Sequence, residues 1–309
     1  RTNEAKLVNA GAKMSVIHSR LSGVRQSFTG AAAYAPYVNP FATYLKALFD
    51  GTNGSKENAR VMMSKVSEFS ENSFVKSDLE LLSAGKEIES VTYVIFESNM
   101  APFRSEKLIN LVIPIPVEVD VLDVNGYRTG RTRTEIVPFN FSFSWPKLND
   151  KGQPNVSQSV ISNGREITTE LIADVEAIVA KEFNNLWPGM RNRIVLSVVA
   201  KAAASVVTTV AVKKATGSGL LGTLLAAGAG TAVTHFTKGT DSRTWRTLPS
   251  NFQVCRIPTP SNRKIKLKGP SGNEGNLQEI SLVDGNVNVV YIKQTSPEAR
   301  MLVHQFKLN

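Results

Sequence analysis

Residues 91–96 read VTYVIF, and at this point the hydrophobic pattern of the sequence changes its period. From here apolar side chains recur every second residue, which is the repeat of a β-strand. Before residue 84 they recur instead at spacings of three, four and seven residues, which is the repeat of one helix face. We therefore expect an α+β protein, with a helical region at 1–83 and a β domain at 84–309.

The β domain is expected on both sides of a long helical insert at about 166–236. Residues 139–145 (FNFSFSW) alternate aromatic and polar side chains, and Asn125-Gly126 is a strong hairpin turn. Pro114 and Pro116 favour edge strands, because a proline lacks the N–H that an inner strand needs. Strand-like runs return after Asp241. Since the two β stretches flank the insert, we expect them to pair as one antiparallel, sandwich-like domain.

Within the insert, a stripe of apolar residues at helical spacing ends at Pro188-Gly189. The stripe consists of Leu171, Val175, Ile178, Val179, Phe183 and Leu186. A second helix, rich in valine and alanine, is expected from Arg191 to about Lys214. The insert is therefore predicted to contain two helices that are separated at the proline.

The N-terminal region is predicted to contain a hairpin of two antiparallel helices. Asn39 can cap the first helix, with Pro40 in its first turn, and a turn at 50–54 leads to a second helix at 56–69. Ala47 and Ala59 stand twelve residues apart, which is the small-residue spacing of a tetratricopeptide unit. One such pair cannot bury its apolar faces alone, so we expect further repeats or a neighbour that covers them.

The chain of 309 residues carries 36 basic and 26 acidic side chains, a net charge of +10. Such a surplus is compatible with nucleic acid, anionic lipid or an acidic protein as partner. The densest basic cluster, Arg263, Lys264, Lys266 and Lys268, lies in an alternating stretch whose charges share one exposed strand face. We therefore expect no nucleic-acid binding.

The residue patterns do not point to a catalytic or cofactor site. Residues 217–222 (GSGLLG) fit the dinucleotide fingerprint, but no strand precedes them, so a loop or helix cap is the better interpretation. His18, His235 and His304 lie in different elements without other ligands at metal spacing. The single cysteine, Cys255, excludes an internal disulfide. We expect a protein that is not an enzyme and that takes no cofactor or metal.

Residues 215–234 form an uncharged run of glycine, alanine, leucine and threonine that is long enough to cross a bilayer. Its small and polar residues weaken transfer into lipid, and lysines lie on both sides of it. Three interpretations stay open: a mobile or partner-covered segment, contact with a membrane surface, and a true span.

Four stretches carry a family resemblance. In chain order they are Asn39-Pro40-Phe41 with Tyr44-Leu45, 96–102 (FESNMAP), 169–178 (TELIADVEAI) and 241–249 (DSRTWRTLP). Together they resemble an uncharacterised family of bacterial envelope lipoproteins with tetratricopeptide-like N-terminal repeats and a C-terminal β region. The resemblance implies export, lipid attachment at an N-terminal cysteine, and a place in the periplasm at the outer membrane.

This chain departs from the family pattern at its N-terminal end. It has one recognisable repeat where the family has several, and it has no cysteine for lipid attachment. It begins at Arg1 without a methionine or an apolar leader. We therefore expect that an N-terminal part has been removed or is not included.

These features favour a non-catalytic periplasmic scaffold, a subunit of a multi-protein envelope complex such as a secretion or flagellar machine, with other envelope proteins as partners. The alternative is a binding regulator of a cell-wall enzyme. The expected partner contacts are clustered aromatics, for which packing between helices is the alternative role: Tyr34, Tyr37, Phe41 and Tyr44. Trp245 and Leu248 are expected to be structural, with a buried indole ring that locks the helical insert to the sheet.

Overall fold

A computed structural model describes residues 39–125, 127–149, 156–216, 245–269 and 277–308 of the chain. The described residues fall into two compact units. The first unit lies within 39–103, 149–182 and 245–308, and the second within 104–148 and 183–216. Helices and strands are both abundant, and one of the sheets is mixed, so the expected α+β class is confirmed.

The first unit contains a layer of three helices, α1 (Pro40–Thr52), α2 (Lys56–Phe69) and α3 (Ser73–Ser83). α1 starts where the sequence places a cap, because the Asn39 side chain accepts a hydrogen bond from the N–H of Ala42 at 3.2 Å. A Cβ atom added to Gly51 would lie 3.4 Å from the Cβ of Ala59, so small residues let α1 and α2 approach closely. The predicted pair of helices is therefore present.

Five strands of the first unit form a mixed sheet in the order β11-β10-β1-β7-β6. β1 is parallel to β10 and antiparallel to β7, and all eight of its residues are buried. The stretch at which the sequence changes its period is thus the central strand. In chain order the strands are β1 (Val91–Ser98), β2 (Phe103–Leu122), β3 (Arg128–Asn149), β4 (Ser159–Ser162), β5 (Arg165–Thr168), β6 (Glu170–Asp174), β7 (Asn251–Pro258), β8 (Lys264–Lys268), β9 (Leu277–Ser281), β10 (Val287–Gln294) and β11 (Leu302–Lys307).

A second sheet in the same unit is antiparallel, with the order β5-β4-β8-β9. It packs on one face of the mixed sheet, where Val94 of β1 and Leu267 of β8 share one buried cluster. The helices pack on the other face, where Tyr44 of α1 meets Tyr93 of β1 with ring centroids 6.3 Å apart. The first unit therefore has three layers, and the mixed sheet is the middle one.

The mixed sheet supplies the neighbour that the helix pair needs. Tyr44, Met63 and Val66 are fully buried, and they belong to the same apolar cluster as the sheet residues Ile95 and Val289. The face that a single pair cannot bury alone is thus covered by the chain's own sheet.

In the second unit, β2 and β3 form a long two-stranded hairpin. The Asp123 carboxylate holds its turn, since it accepts hydrogen bonds from the N–H groups of Asn125 at 2.9 Å and Tyr127 at 2.8 Å. The predicted turn is present, although Gly126 lies outside the described residues. Pro114 and Pro116 lie in β2, which as one of two paired strands is an edge strand, as expected.

The helix α4 (Val175–Thr216) contributes the aromatic side chains that cover one face of the hairpin in the second unit. Trp145 of β3 meets Trp187 of α4 edge to face, with ring centroids 5.2 Å apart, and Phe183 adjoins Trp187 at 5.6 Å. Phe143 and Trp145 are buried, so the aromatic alternation of the sequence marks the covered face.

The prediction of helix from residue 166 is wrong, because 165–174 form the strands β5 and β6. Leu171 and Val175 fit a helical stripe by spacing, but a spacing of four also fits a strand, and pairing of β6 with β7 decides the outcome. The side chain of Asp174 accepts a hydrogen bond from the N–H of Ala177 at 2.8 Å and caps α4 there.

The predicted break at Pro188 is also wrong, because α4 continues through it. A proline removes one helical hydrogen bond, and buried side chains on both sides of it offset that loss: Phe183 before it, and Ile194 and Val198 after it. The expected antiparallel pairing of the two β stretches holds for β1 with β7 and for β4 with β8, but it is wrong for β1 and β10, which are parallel. β2 and β3, however, form a sheet of their own.

Candidate interaction surfaces

Two of the four aromatics predicted to contact a partner lie in the core of the first unit. Phe41 stacks on Phe252 of β7 with ring centroids 3.8 Å apart, and Tyr44 is fully buried against Tyr93. Both rings join α1 to the sheet, and they leave 8% of Phe41 and none of Tyr44 accessible to a partner. Tyr34 and Tyr37 lie outside the described residues.

Trp245 does not have the buried position expected for it, because 72% of its surface is exposed. Within the described ranges, its indole N–H donates to the hydroxyl of the nearby Thr247, and the exposed ring does not lock α4 to a sheet. Leu248 is half-buried, and its carbonyl accepts a hydrogen bond from the N–H of Ala101 at 2.9 Å. Leu248 thus has a structural contact, whereas Trp245 lies on the surface.

A buried ionic cluster joins α3 to the mixed sheet. Oδ2 of Asp78 accepts a hydrogen bond from the Tyr93 hydroxyl at 2.8 Å, and Nε of Arg256 lies 2.9 Å from Oδ1. Burial raises the pKa of Asp78 to about 6, although Arg256 and Tyr93 act in the opposite direction. Asp78 and Tyr93 are fully buried and the Arg256 side chain is 21% exposed, so we interpret the cluster as a structural link rather than a reaction site.

The sequence contained a signal for this cluster. Asp78 stands between Val75 and Leu82 on the apolar face of α3, and Arg256 interrupts the apolar run of β7. A charged residue at a buried position calls for a partner of opposite charge, because an isolated buried charge is costly. Pairing two such residues from distant segments would have indicated the contact between α3 and β7.

The loops at one end of the mixed sheet surround an open depression of about 620 Å³. Arg263 connects the loop residues that line it. Its guanidinium donates hydrogen bonds to the carbonyl oxygens of Val283 at 2.7 Å and Gly285 at 3.3 Å, and it forms an ion pair with Asp284 at 2.9 Å. Ser90, which also lines the depression, shares with Arg263 a positive φ, at 53° and 51°. Since the arginine's donors hold the loop together, its main role here is structural.

Three of the four residues of the predicted basic cluster, Lys264, Lys266 and Lys268, lie on one face of β8, whereas Arg263 precedes the strand. Ile265 and Leu267 are buried, while Lys264 and Lys266, which alternate with them, are exposed. Lys264 pairs with Glu279 at 3.0 Å, and Lys268 pairs with Glu166 at 3.0 Å. Neighbouring carboxylates on β9 and β5 thus neutralise part of the charge.

The hairpin of the second unit carries large aliphatic side chains on its outer face. Leu108 and Val112 of β2 and Ile136 of β3 are 64%, 57% and 72% exposed. By alternation Leu108 and Val112 share the face of Asn110, whose side chain bonds that of Ser142 at 2.7 Å, and Ile136 shares the face of Ser142. The three aliphatic side chains therefore lie on one face, opposite to the buried Phe143 and Trp145.

In the described part of the chain, no helix is both long and apolar enough to cross a bilayer, and no three metal-binding side chains gather. Residues 217–222 and almost all of 215–234 lie outside that part, as do His18 and His235. Neither a protein-family model, nor a curated protein, nor a solved structure matches the chain. The resemblance to envelope lipoproteins stays a prediction.

Proposed function

We propose that this chain is a non-catalytic scaffold subunit of a multi-protein complex in the bacterial envelope, and that its β2–β3 hairpin is a contact surface. The supporting observation is the outer face of the hairpin, where Leu108, Val112 and Ile136 are exposed together. Large aliphatic side chains on one side of a narrow element are typical of surfaces that another protein covers.

The dimensions of the hairpin suit this role. A strand of 20 residues extends over about 65 Å at roughly 3.3 Å per residue. A two-stranded hairpin is marginally stable alone. Among the described residues, aromatic side chains of α4 cover the face that carries Trp145. Burying each exposed aliphatic side chain against a partner would contribute about 1.5–3 kcal/mol.

We also propose that α1 and α2 form a tetratricopeptide-like pair. The support is the close contact between Gly51 and Ala59 and the burial of Ala47, which are small residues where the two helices meet. In this chain the mixed sheet occupies the face that a second repeat would take. The periplasmic location rests on the family resemblance.

The proposal is tested by replacing Leu108 and Ile136 with aspartate in the full chain. A carboxylate placed in an apolar contact is costly to desolvate, so we expect recovery of envelope partners by affinity purification to fall more than tenfold. The matched control is Asn58→Asp/Thr168→Asp, which adds the same two charges at exposed polar positions outside the hairpin.

Two outcomes would count against the proposal. Undiminished recovery by the double variant would exclude the hairpin as the contact. Recovery of a single cell-wall enzyme in a one-to-one complex would favour a regulator over a scaffold.

A further inference from the structure

The two edges of the mixed sheet differ in how their backbone groups are satisfied. At the β6 edge, the Ser70 hydroxyl donates to the carbonyl of Leu171 at 2.8 Å, and the Asn72 amide donates to the carbonyl of Glu170 at 3.1 Å. The Glu170 carboxylate accepts from the N–H and hydroxyl of Ser73. The start of α3 thus closes this edge against another strand.

The opposite edge, β11, is open. The N–H of Leu308 donates to the carbonyl of Val287 at 2.9 Å, in register with the pairs along β10 and β11. Backbone groups of an antiparallel strand alternate in direction, so those of Leu302, His304 and Phe306 also point to β10. Those of Val303, Gln305 and Lys307 point outward, where no strand pairs with β11 among the described residues.

Side chains at this edge leave room for an added strand with apolar residues. Leu302 and Phe306 are 54% and 44% exposed and lie on the same face of β11. On the other face, the Gln305 side chain is fixed by the carbonyl of Ser281 at 3.1 Å and the N–H of Val283 at 3.3 Å. One face therefore offers apolar contact, and the other holds the strand in place.

Charge at the edge favours an acidic partner. The β10–β11 segment, 287–308, contains three basic residues and one acidic residue, and the whole chain carries +10. Lys293 is already paired with Glu97, whereas Lys307 and Arg300 are exposed. Two copies of this chain would bring like charges together, which disfavours pairing of β11 with itself.

We propose that an extended segment of a partner protein, in which apolar residues alternate with acidic residues, adds to the sheet beside β11 as a sixth strand. Its backbone would pair with the outward groups of Val303, Gln305 and Lys307, and its apolar residues would cover Leu302 and Phe306. This inference rests on the proposed scaffold function and names a second contact, separate from the hairpin.

The test is a titration of the full chain with a seven-residue peptide that alternates valine with glutamate, followed by amide hydrogen exchange. At saturation we expect exchange at Val303, Gln305 and Lys307 to slow at least tenfold, while the inward amides of β11 stay as they are. A peptide that alternates valine with lysine is the control and is expected to bind at least tenfold more weakly.

A charge exchange tests the same contact from the protein side. Lys307→Glu should weaken binding of the glutamate peptide at least fivefold and strengthen binding of the lysine peptide. Slow exchange at all three outward amides in the absence of peptide would overturn the proposal. If the chain then also has the mass of a dimer, a second copy of the chain is what covers the edge. Equal binding of both peptides, or protection without the alternating pattern, would also overturn it. Leu108 and Ile136 are unchanged in these experiments. A negative result at β11 would therefore not affect the test of the hairpin as a contact surface.

Discussion

At the residue scale, Asp78 is the side chain whose environment departs most from that of an ordinary surface carboxylate. Its pKa is raised because burial removes water from the charged form, and Arg256 compensates only in part. Tyr44 adds a second energetic cost, since its buried hydroxyl has no hydrogen-bond partner among the described residues. The contact between α3 and the sheet is thus specific but costly.

This environment predicts a pH dependence of stability. The pKa of Asp78 rises from 3.8 to about 6 on folding, so the folded state binds the proton more tightly than the unfolded state. The stabilisation from this group is complete below pH 3.8 and is lost as pH rises through about 6. About two pKa units correspond to roughly 3 kcal/mol.

Asp78→Asn removes this titration and is the variant to compare. We expect the free energy of unfolding of the native chain, relative to that of Asp78→Asn, to fall by roughly 2 kcal/mol between pH 4 and pH 7. Urea titrations at several pH values measure it. A difference that is constant over this range would contradict the assigned pKa. The control is Asn58→Ser, which changes an exposed side chain that carries no titratable group and should leave the pH dependence as it is in the native chain.

At the element scale, the aromatic contact between β3 and α4 is expected to hold the second unit together. Trp145→Ala removes a ring that is 2% exposed and should cost about 3–5 kcal/mol of unfolding free energy. Trp245→Ala is the matched control, because the exposed ring there should contribute less than about 0.5 kcal/mol. Chemical denaturation followed by circular dichroism measures the unfolding free energy of both variants. Equal losses of unfolding free energy would contradict the role given to Trp145.

Periodicity in the sequence located most elements, because it reflects which faces are apolar. It placed α1, α2 and β1 and the turn between β2 and β3. It failed at 165–174, where spacing fits both helix and strand and long-range pairing with β7 decides. It also could not show that β2 and β3 form a separate sheet, since an apolar strand face does not specify its neighbour.

The candidate contacts were harder to predict than the elements. Phe41 and Tyr44 were predicted to contact a partner, but their rings pack against the chain's own sheet. An amphipathic pattern does not tell whether the chain itself covers a face. The exposed Leu108, Val112 and Ile136 were hidden within an apolar strand pattern. The outward amides of β11 follow from its pairing with β10, which only the three-dimensional register reveals.

At the scale of the whole molecule, the charge of +10 and the exposed apolar side chains act together. Like charges oppose association between copies that present the same surface, while acidic partners are attracted over several ångströms. A scaffold whose hairpin and sheet edge contact different partners would therefore join other proteins rather than aggregate with itself. Because Leu108, Val112 and Ile136 are exposed, we expect an isolated chain to bind hydrophobic dyes.

The composition of the native complex tests the central claim most directly. We would purify the tagged full chain from envelope membranes in mild detergent and measure the mass of the complex and the copy number of each protein by native mass spectrometry. The scaffold account predicts several copies of this chain with at least one other envelope protein, and loss of that protein in the Leu108→Asp/Ile136→Asp variant. A chain that is recovered alone as a monomer, and that binds no hydrophobic dye, would contradict it.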